Sequence, residues 1–155
     1  NDRSVGIEIA NMGAYEDPAE LDQWYTRASD NRVVFNPPLS DGATGLRTTP
    51  FTATPARPEV VQGRIHDRDL NQYDLTDAQY ASLIRLTATL CRVLPRIRAE
   101  GPRDGAGAIR RDVLSDAELA AFRGIVGHYH LTEEKIDPGP ALDWDRLIAG
   151  VRRLD

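Results

Sequence analysis

The segment from Thr76 to Pro95 constrains the fold most, because it carries the signals for both ends of a helix. Thr76 and Gln79 have the spacing of a capping box, in which two side chains satisfy backbone amides that the first turn leaves unpaired. Pro95 ends the run, before which apolar residues recur at helical spacing: Leu83, Leu86, Leu90 and Val93. The sequence therefore predicts a helix of about five turns with one face on a core.

Two further helices are predicted in the C-terminal half. Ser115 and Glu118 form a second capping box, which opens a short helix that runs through Phe122. A last helix is expected to begin at Asp143. Its apolar residues share one face and are expected to be buried: Trp144, Leu147, Ile148 and Val151.

The N-terminal part is predicted to combine a strand with a helix. Residues 4–10 alternate with the period of a half-buried strand, whose apolar face carries Val5, Ile7 and Ile9. Residues 15–29 are predicted to be helical, with Asp17 as the N-cap and Pro18 in the first position. The apolar side of that helix would be formed by Leu21, Trp24 and Tyr25.

Residues 31–63 lose this periodicity. They contain five prolines and are predicted to be an irregular, Pro-rich insertion with a short strand at Val33–Phe35. Loops of this length are usually functional or mobile. Residues 125–128 are predicted to be another strand. Because strands and helices mix along the chain, we expect one α/β domain over residues 1–155, with a mixed central β-sheet flanked by helices.

Composition excludes several classes of protein. No apolar run approaches the roughly 20 residues that a membrane-spanning helix needs, so no membrane span is expected. The chain carries a net charge of −5 without a basic stripe, which argues against a nucleic-acid partner. Cys91 is the only cysteine, so an internal disulfide and a cysteine-based zinc site are excluded. We expect Cys91 to be a small buried apolar residue.

Three groups of polar residues are not explained by packing. The first is Glu8, which lies on the predicted first strand opposite its apolar face, between Gly6 and Ala10. These two small neighbours leave open space around the carboxylate. The alternative is an ordinary glutamate that faces solvent.

The second group is the histidine pair His128 and His130. At a strand end their side chains point to the same side, so both can reach one metal ion, or one can bind while the other supports it. The alternative is a pair of structural or surface histidines.

The third group is Lys135 with Asp137. Pro138 restricts the backbone of Asp137 to the extended region, so the carboxylate is held in one direction, as a metal ligand should be. In an extended segment the side chains of Lys135 and Asp137 point to the same side. The alternative is a turn with a surface ion pair.

Taken together, one imidazole and one oriented carboxylate nine residues apart, with an ammonium beside them, are the beginnings of an open zinc site. A zinc ion with three protein ligands and a water lowers the pKa of that water to roughly 7. A carboxylate such as Glu8 can then take the proton of the water, and the ammonium of Lys135 can stabilise the oxyanion of a tetrahedral intermediate. This set of groups points to amide hydrolysis.

Several stretches of the chain resemble one known family. Gly127-His128, Lys135-x-Asp137-Pro138-Gly139-Pro140 and Asp143-Trp144 are similar to the C-terminal signature of the zinc-dependent N-acetylmuramoyl-L-alanine amidases of the type 2 family, which is related to the peptidoglycan-recognition proteins. Residues 4–8 resemble the glutamate-bearing strand of that family, and residues 73–80 resemble the start of its long helix.

The resemblance implies a three-layer fold and a role for each site residue. His128 and Asp137 would be zinc ligands, Glu8 the general base or the acid that orients the water, and Lys135 the oxyanion stabiliser.

The family also takes a further histidine ligand from a strand before the glutamate strand, but no histidine precedes Glu8 here. We therefore expect that strand and its histidine upstream of Asn1, on an N-terminal fragment of the same precursor. The available substitutes within the chain are His66 and His130, and His130 can instead support a ligand.

The resemblance also predicts the activity. It implies hydrolysis of the amide bond between N-acetylmuramic acid and L-alanine in peptidoglycan or muropeptides, with Zn²⁺ as the cofactor. The expected place of action is the cell envelope, the periplasm or the outside of the cell rather than the cytoplasm. The competing interpretation is a peptidoglycan-binding module of the same fold that has lost hydrolysis, and a third is a structural domain with no ligand.

Overall fold

A computed structural model describes residues 3–36 and 51–154 of the chain. They form a small mixed α/β fold, as the sequence predicts, built from two small antiparallel sheets and three α-helices. In chain order the elements are a 3₁₀ helix at Pro18–Gln23, strands β1 (Tyr25–Arg27), β2 (Val33–Phe35), β3 (Val61–Ile65) and β4 (Arg68–Gln72), helices α1 (Asp77–Val93) and α2 (Asp116–Ala121), a 3₁₀ turn at His128–His130, and helix α3 (Trp144–Leu154).

The strands pair as two separate two-stranded sheets, β1 with β2 and β3 with β4. The β3–β4 hairpin pairs Ile65 with Arg68, so its turn is short, and His66 in that turn has a positive φ of 54°. The expected single mixed sheet is not formed among residues 3–36 and 51–154. The β3–β4 hairpin was not predicted, and its first residues, from Val61, fall in the stretch that was expected to be irregular. The short strand predicted at Val33–Phe35 is confirmed.

Helices α1 and α3 pack against each other and build the main core. Both predicted capping boxes are present, at Thr76 with Gln79 and at Ser115 with Glu118. A Cβ at Gly150 of α3 would lie 2.5 Å from the side chain of Ile84, which shows how closely the two helices approach. Cys91 is buried as predicted, and so are the four apolar residues predicted for α3: Trp144, Leu147, Ile148 and Val151.

The predicted apolar stripe of α1 is wrong at two of its four positions. Leu86 is 46% exposed and Val93 is 62% exposed, whereas Leu83 is buried. Tyr80 and Cys91 lie on the face that α1 buries. The packing of α3 decides which face of α1 is covered, and the spacing of the apolar residues in α1 does not.

The predicted N-terminal helix is only partly present. Asp17 caps it and Pro18 begins it as expected, but it is a 3₁₀ helix that ends at Gln23. Tyr25 enters β1 instead, because its ring packs 5.4 Å from Phe35 and 4.4 Å from Tyr73, measured between ring centroids. A second, smaller core therefore forms around Leu21, Tyr25 and Val33.

Two predicted strands are not formed. Residues 4–10 belong to neither of the two described sheets, and Val5 and Ile7 are 51% and 38% exposed. A strand needs a neighbour that pairs its backbone groups, and none of the four described strands pairs with this segment. Residues 125–128 also form no strand, because Ile125 bonds only to Glu100 before the backbone turns at His128.

Two of the predictions concern residues outside the described ranges. Part of the predicted insertion, residues 37–50, lies outside them. Asn1, upstream of which the further histidine ligand is expected, also lies outside the described residues, which begin at Arg3. None of the helices formed by residues 3–36 and 51–154 is both long enough and apolar enough to cross a membrane.

Candidate functional site

The loop that carries Asp137 is held by backbone hydrogen bonds on both sides. Gly139 N–H donates to the carbonyl of Ile136 (2.9 Å), and Tyr129 N–H donates to the carbonyl of Asp137 (3.2 Å). The Asp137–Pro138 peptide bond is cis. A Cβ at Gly127 would lie 2.5 Å from Cδ of Pro138, so this glycine lets the loop lie directly against the start of the His128 turn.

This arrangement brings the two predicted zinc ligands together. His128 Nδ1 lies 2.5 Å from Asp137 Oδ2, across nine positions of the chain. Both side chains are more than half exposed, at 58% and 57%, so a ligand can reach them from solvent. An imidazole nitrogen and a carboxylate oxygen on one open surface are donor atoms that zinc prefers.

The pair fits two corners of a tetrahedral zinc site. Zn–N and Zn–O distances of about 2.0–2.2 Å place two ligand atoms roughly 3.3 Å apart in a tetrahedron. The two side chains would therefore separate by somewhat less than ~1 Å to admit the ion. Residues 3–36 and 51–154 contain no group of three or more His, Cys, Asp or Glu side chains that could hold a metal. Within the described ranges, His128 and Asp137 are thus the two candidate ligands that lie in contact, which is fewer than the three that a zinc site needs.

The third ligand expected from the resemblance is not among the described residues. It was predicted upstream of Asn1, whereas the described residues begin at Arg3. The structure therefore describes the positions of two of the three expected ligands, His128 and Asp137. The histidine upstream of Asn1 stays a prediction.

His130 is fully buried and uses both of its ring nitrogens. Its Nδ1 accepts a hydrogen bond from Gly127 N–H (2.9 Å), so Nε2 carries the proton and donates to the carbonyl of Arg110 (2.9 Å). Burial lowers the pKa of His130, which favours this neutral form. Neither nitrogen offers a lone pair to a metal here. Of the two roles predicted for His130, the geometry suits support of the His128 turn rather than ligation.

The lowered pKa of His130 predicts how stability depends on pH. The unfolded chain takes up a proton at this position near pH ~6.5, whereas the folded chain resists it. The free energy of unfolding should therefore fall as the pH drops below about 6.5, with a slope of up to ~1.4 kcal/mol per pH unit from this group. His130→Gln removes the titrating ring, so its slope between about pH 7.5 and 5.5 should be smaller than that of the wild type in urea unfolding.

His66→Gln is the control for that experiment, because His66 lies in a hairpin turn and is only partly buried. Parallel pH profiles for the wild type and His130→Gln would contradict the assignment.

The structure brings His66 to the edge of the site, but not to the ligand pair. Its Nε2 donates to the backbone carbonyl of Lys135 (3.2 Å), so the β3–β4 turn is tied to the segment that leads into Asp137. Within the described ranges, His66 joins no metal-binding group with His128 and Asp137. In this arrangement His66 is therefore not placed to act as the predicted substitute ligand.

The two predicted catalytic residues are both exposed. Lys135 lies two residues before Asp137, between two turns, and presents its side chain to solvent. Glu8 is exposed, and its carboxylate makes no hydrogen bond or ion pair with another described residue. Lys135 is thus close to Asp137 along the chain, and the structure does not bring Glu8 into contact with His128 or Asp137.

Sequence reasoning missed the groups that hold the site in place. The Arg110 guanidinium forms 2.5 Å ion pairs with Asp112 and with Glu118, which raise its pKa and tie α2 to the segment that holds His130. The buried amide of Gln72 contacts the loop that follows Asp137. The one available signal was the polar pair Asn71-Gln72, which directly follows Leu70, and polarity alone does not reveal a partner.

Comparisons of the chain with family models, with curated proteins and with solved structures found no match.

Proposed function

We propose that this protein hydrolyses the amide bond between N-acetylmuramic acid and L-alanine in peptidoglycan or muropeptides, with the aid of zinc. The observation that carries the proposal is the 2.5 Å contact between His128 Nδ1 and Asp137 Oδ2 on an open surface. It joins two residues that the resemblance to the type 2 amidases assigns to the metal. A peptidoglycan substrate implies action in the cell envelope, in the periplasm or outside the cell.

In this proposal His128 and Asp137 hold the ion together with a further histidine from upstream of Asn1. That ligand would come from a strand on an N-terminal fragment of the same precursor. Such a strand would lie beside residues 4–10, whose backbone lacks a sheet partner in the described part of the chain. Its addition would also begin to build the three-layer fold that the resemblance implies. When bound, zinc supplies Lewis acidity to the scissile carbonyl and lowers the pKa of a water molecule.

The chain's own residues account for the movement of charge and protons. Glu8 accepts a proton from the attacking water, whose oxygen bonds to the lactyl carbonyl carbon. The Lys135 ammonium stabilises the negative charge that develops on the carbonyl oxygen. The C–N bond then breaks, and Glu8 passes its proton to the amine of L-alanine. The products are a lactyl carboxylate on the sugar and a peptide with a free amino terminus.

A non-catalytic peptidoglycan-binding module is the second candidate. Two observations favour it: the described residues supply only two zinc ligands, and Glu8 does not contact them. Incubation of the full-length protein with muropeptides separates the two. Release of free stem peptide that depends on zinc supports the amidase, whereas retention of intact muropeptide with no release supports the binding module.

Glu8→Gln separates the role of Glu8 from that of the metal ligands. The amide cannot accept the proton of water, so we expect turnover to fall by roughly 10² or more while zinc content stays unchanged. Glu20→Gln is the matched control, because Glu20 is an exposed glutamate in the N-terminal 3₁₀ helix. If Glu8→Gln kept full activity, the acid–base assignment would be wrong even if the protein is an amidase.

A further inference from the structure

The side chain of Gln72, at the end of β4, reaches into the loop that follows Asp137. Gln72 is 3% exposed, and its amide makes three hydrogen bonds. Nε2 donates to the carbonyl of Pro138 (3.1 Å), and Oε1 accepts from Ala141 N–H (2.9 Å). One side chain thus binds the backbone on both sides of Gly139.

The loop is shaped around this amide. Gly139 has a positive φ of 83°, a conformation that side chains rarely adopt. A Cβ at Gly139 would also collide with the Gln72 side chain, with 2.7 Å to its Cδ. The glycine therefore permits both the turn and the close approach of the amide.

The third hydrogen bond of Gln72 leads to the segment that carries Glu8. Nε2 donates to Asn11 Oδ1 (3.2 Å), and Asn11 Nδ2 donates to the carbonyl of Tyr73 (3.3 Å). Asn11 Oδ1 also accepts from Gly13 N–H (2.9 Å), which fixes the direction of its amide. Asn11 comes three residues after Glu8 in the chain.

We propose that Gln72 is a positioning residue, which holds the Asp137 loop and the Glu8 segment in fixed relation through its two N–H donors and one acceptor. The expected effect of Gln72 on zinc binding and turnover rests on the proposed function, whereas its effect on the order of the Asp137 loop does not. Only an amide of this length supplies donors to Pro138 and Asn11 together with an acceptor for Ala141. Glutamate has the same shape but lacks both donors.

The neighbouring residue provides a matched control. Asn71 is also buried (7% exposed), and its amide also makes two donor bonds and one acceptor bond, to Tyr15, Glu16 and Gln62. Successive side chains of a strand point to opposite faces, and the hydrogen bonds of the Asn71 amide with described residues do not go to the Asp137 loop. Gln72→Glu and Asn71→Asp therefore remove equal numbers of donors from the same strand, and only the first disturbs the site.

The test compares both variants of the full-length protein by zinc titration and by amide hydrogen exchange. Gln72→Glu should weaken zinc affinity by about 10–100-fold, as loss of an outer-shell partner does. It should also raise the exchange rates of the Gly139 and Ala141 amides by about tenfold or more, because a freed loop opens more often. Asn71→Asp should change zinc affinity by less than about threefold and leave those two amides protected.

Equal effects of the two variants would overturn the proposal, because they would show general destabilisation. Unchanged exchange at Ala141 in Gln72→Glu would also overturn it. If the wild type binds no zinc, the proposed function fails, and the exchange rates alone decide whether Gln72 positions the loop. If Gln72→Glu does not fold, Asn11→Ala breaks the same link from its less buried end. It should raise exchange at Gly13 and lower kcat by about tenfold, with zinc affinity unchanged.

Discussion

Replacing Asp137 by alanine is expected to abolish zinc binding and amide hydrolysis together while the protein stays folded. The carboxylate is 57% exposed and its contact with His128 is a hydrogen bond at the surface, so its removal should cost at most ~1 kcal/mol of stability. Zinc affinity should fall by more than about 100-fold, which exceeds the usual effect of losing an outer-shell partner. Metal analysis and stem-peptide release, each measured on the same preparation, check both expectations.

His128→Ala should reproduce the loss seen for Asp137→Ala, and the double variant should be no worse, because both residues serve one ion. Asp22→Ala is the control, since Asp22 is an exposed aspartate in the N-terminal 3₁₀ helix. Zinc retained in Asp137→Ala, with activity intact, would show that the metal is held elsewhere.

The second large effect is expected at Asp74, which lies in the core rather than at the site. Its carboxylate is 1% exposed and accepts hydrogen bonds from Arg57 Nε (2.6 Å), Tyr80 Oη (2.7 Å) and Leu75 N–H (2.8 Å). Asp74→Ala leaves buried donors without a partner and opens a polar cavity. Because the Arg57 side chain is 41% exposed and can turn to water, we expect a loss of about 3 kcal/mol rather than the upper end of the usual range.

Urea unfolding measures this loss as a lower midpoint. Asp69→Ala is the control, because Asp69 also pairs with an arginine, Arg64, but its carboxylate is 81% exposed. That variant should lose less than about 0.5 kcal/mol. Similar losses in the two variants would contradict the claim that the hydrogen bonds of Asp74 stabilise the fold because they are buried.

The parts of the fold that the sequence predicts are those set by neighbours in the chain. A capping box joins residues three positions apart, so Thr76 and Ser115 each mark a helix start. The prediction of which face of α3 is buried is also confirmed, because α3 has one clear apolar side, which packs against α1.

The predictions that were wrong concern residues whose structure depends on partners distant in the chain. Residues 4–10 have the alternation of a strand, but alternation does not supply a neighbouring strand. Tyr25 continued a plausible helix, yet its ring contacts with Phe35 and Tyr73 place it in β1. Packing between distant segments overrides local preference at Tyr25, whereas residues 4–10 lack a strand partner in the described part of the chain.

The candidate site shows the same division. His128 and Asp137 are joined by one short loop, so the sequence predicts that they meet, and they do. Gln72 comes from a hairpin 66 positions away from Pro138, and its role is visible only in the folded chain. For His130 the sequence left two roles open, and only the partners of its ring nitrogens in the folded chain distinguish between them.

The most direct test of the zinc site is a crystal structure of the full-length protein grown with zinc, with an anomalous difference map collected at the zinc edge. We expect one strong peak about 2.0–2.2 Å from both His128 Nδ1 and Asp137 Oδ2, with a third protein ligand on the same ion. A map without a peak there, in which the two side chains remain in direct contact as in the 2.5 Å pair, would contradict the proposal.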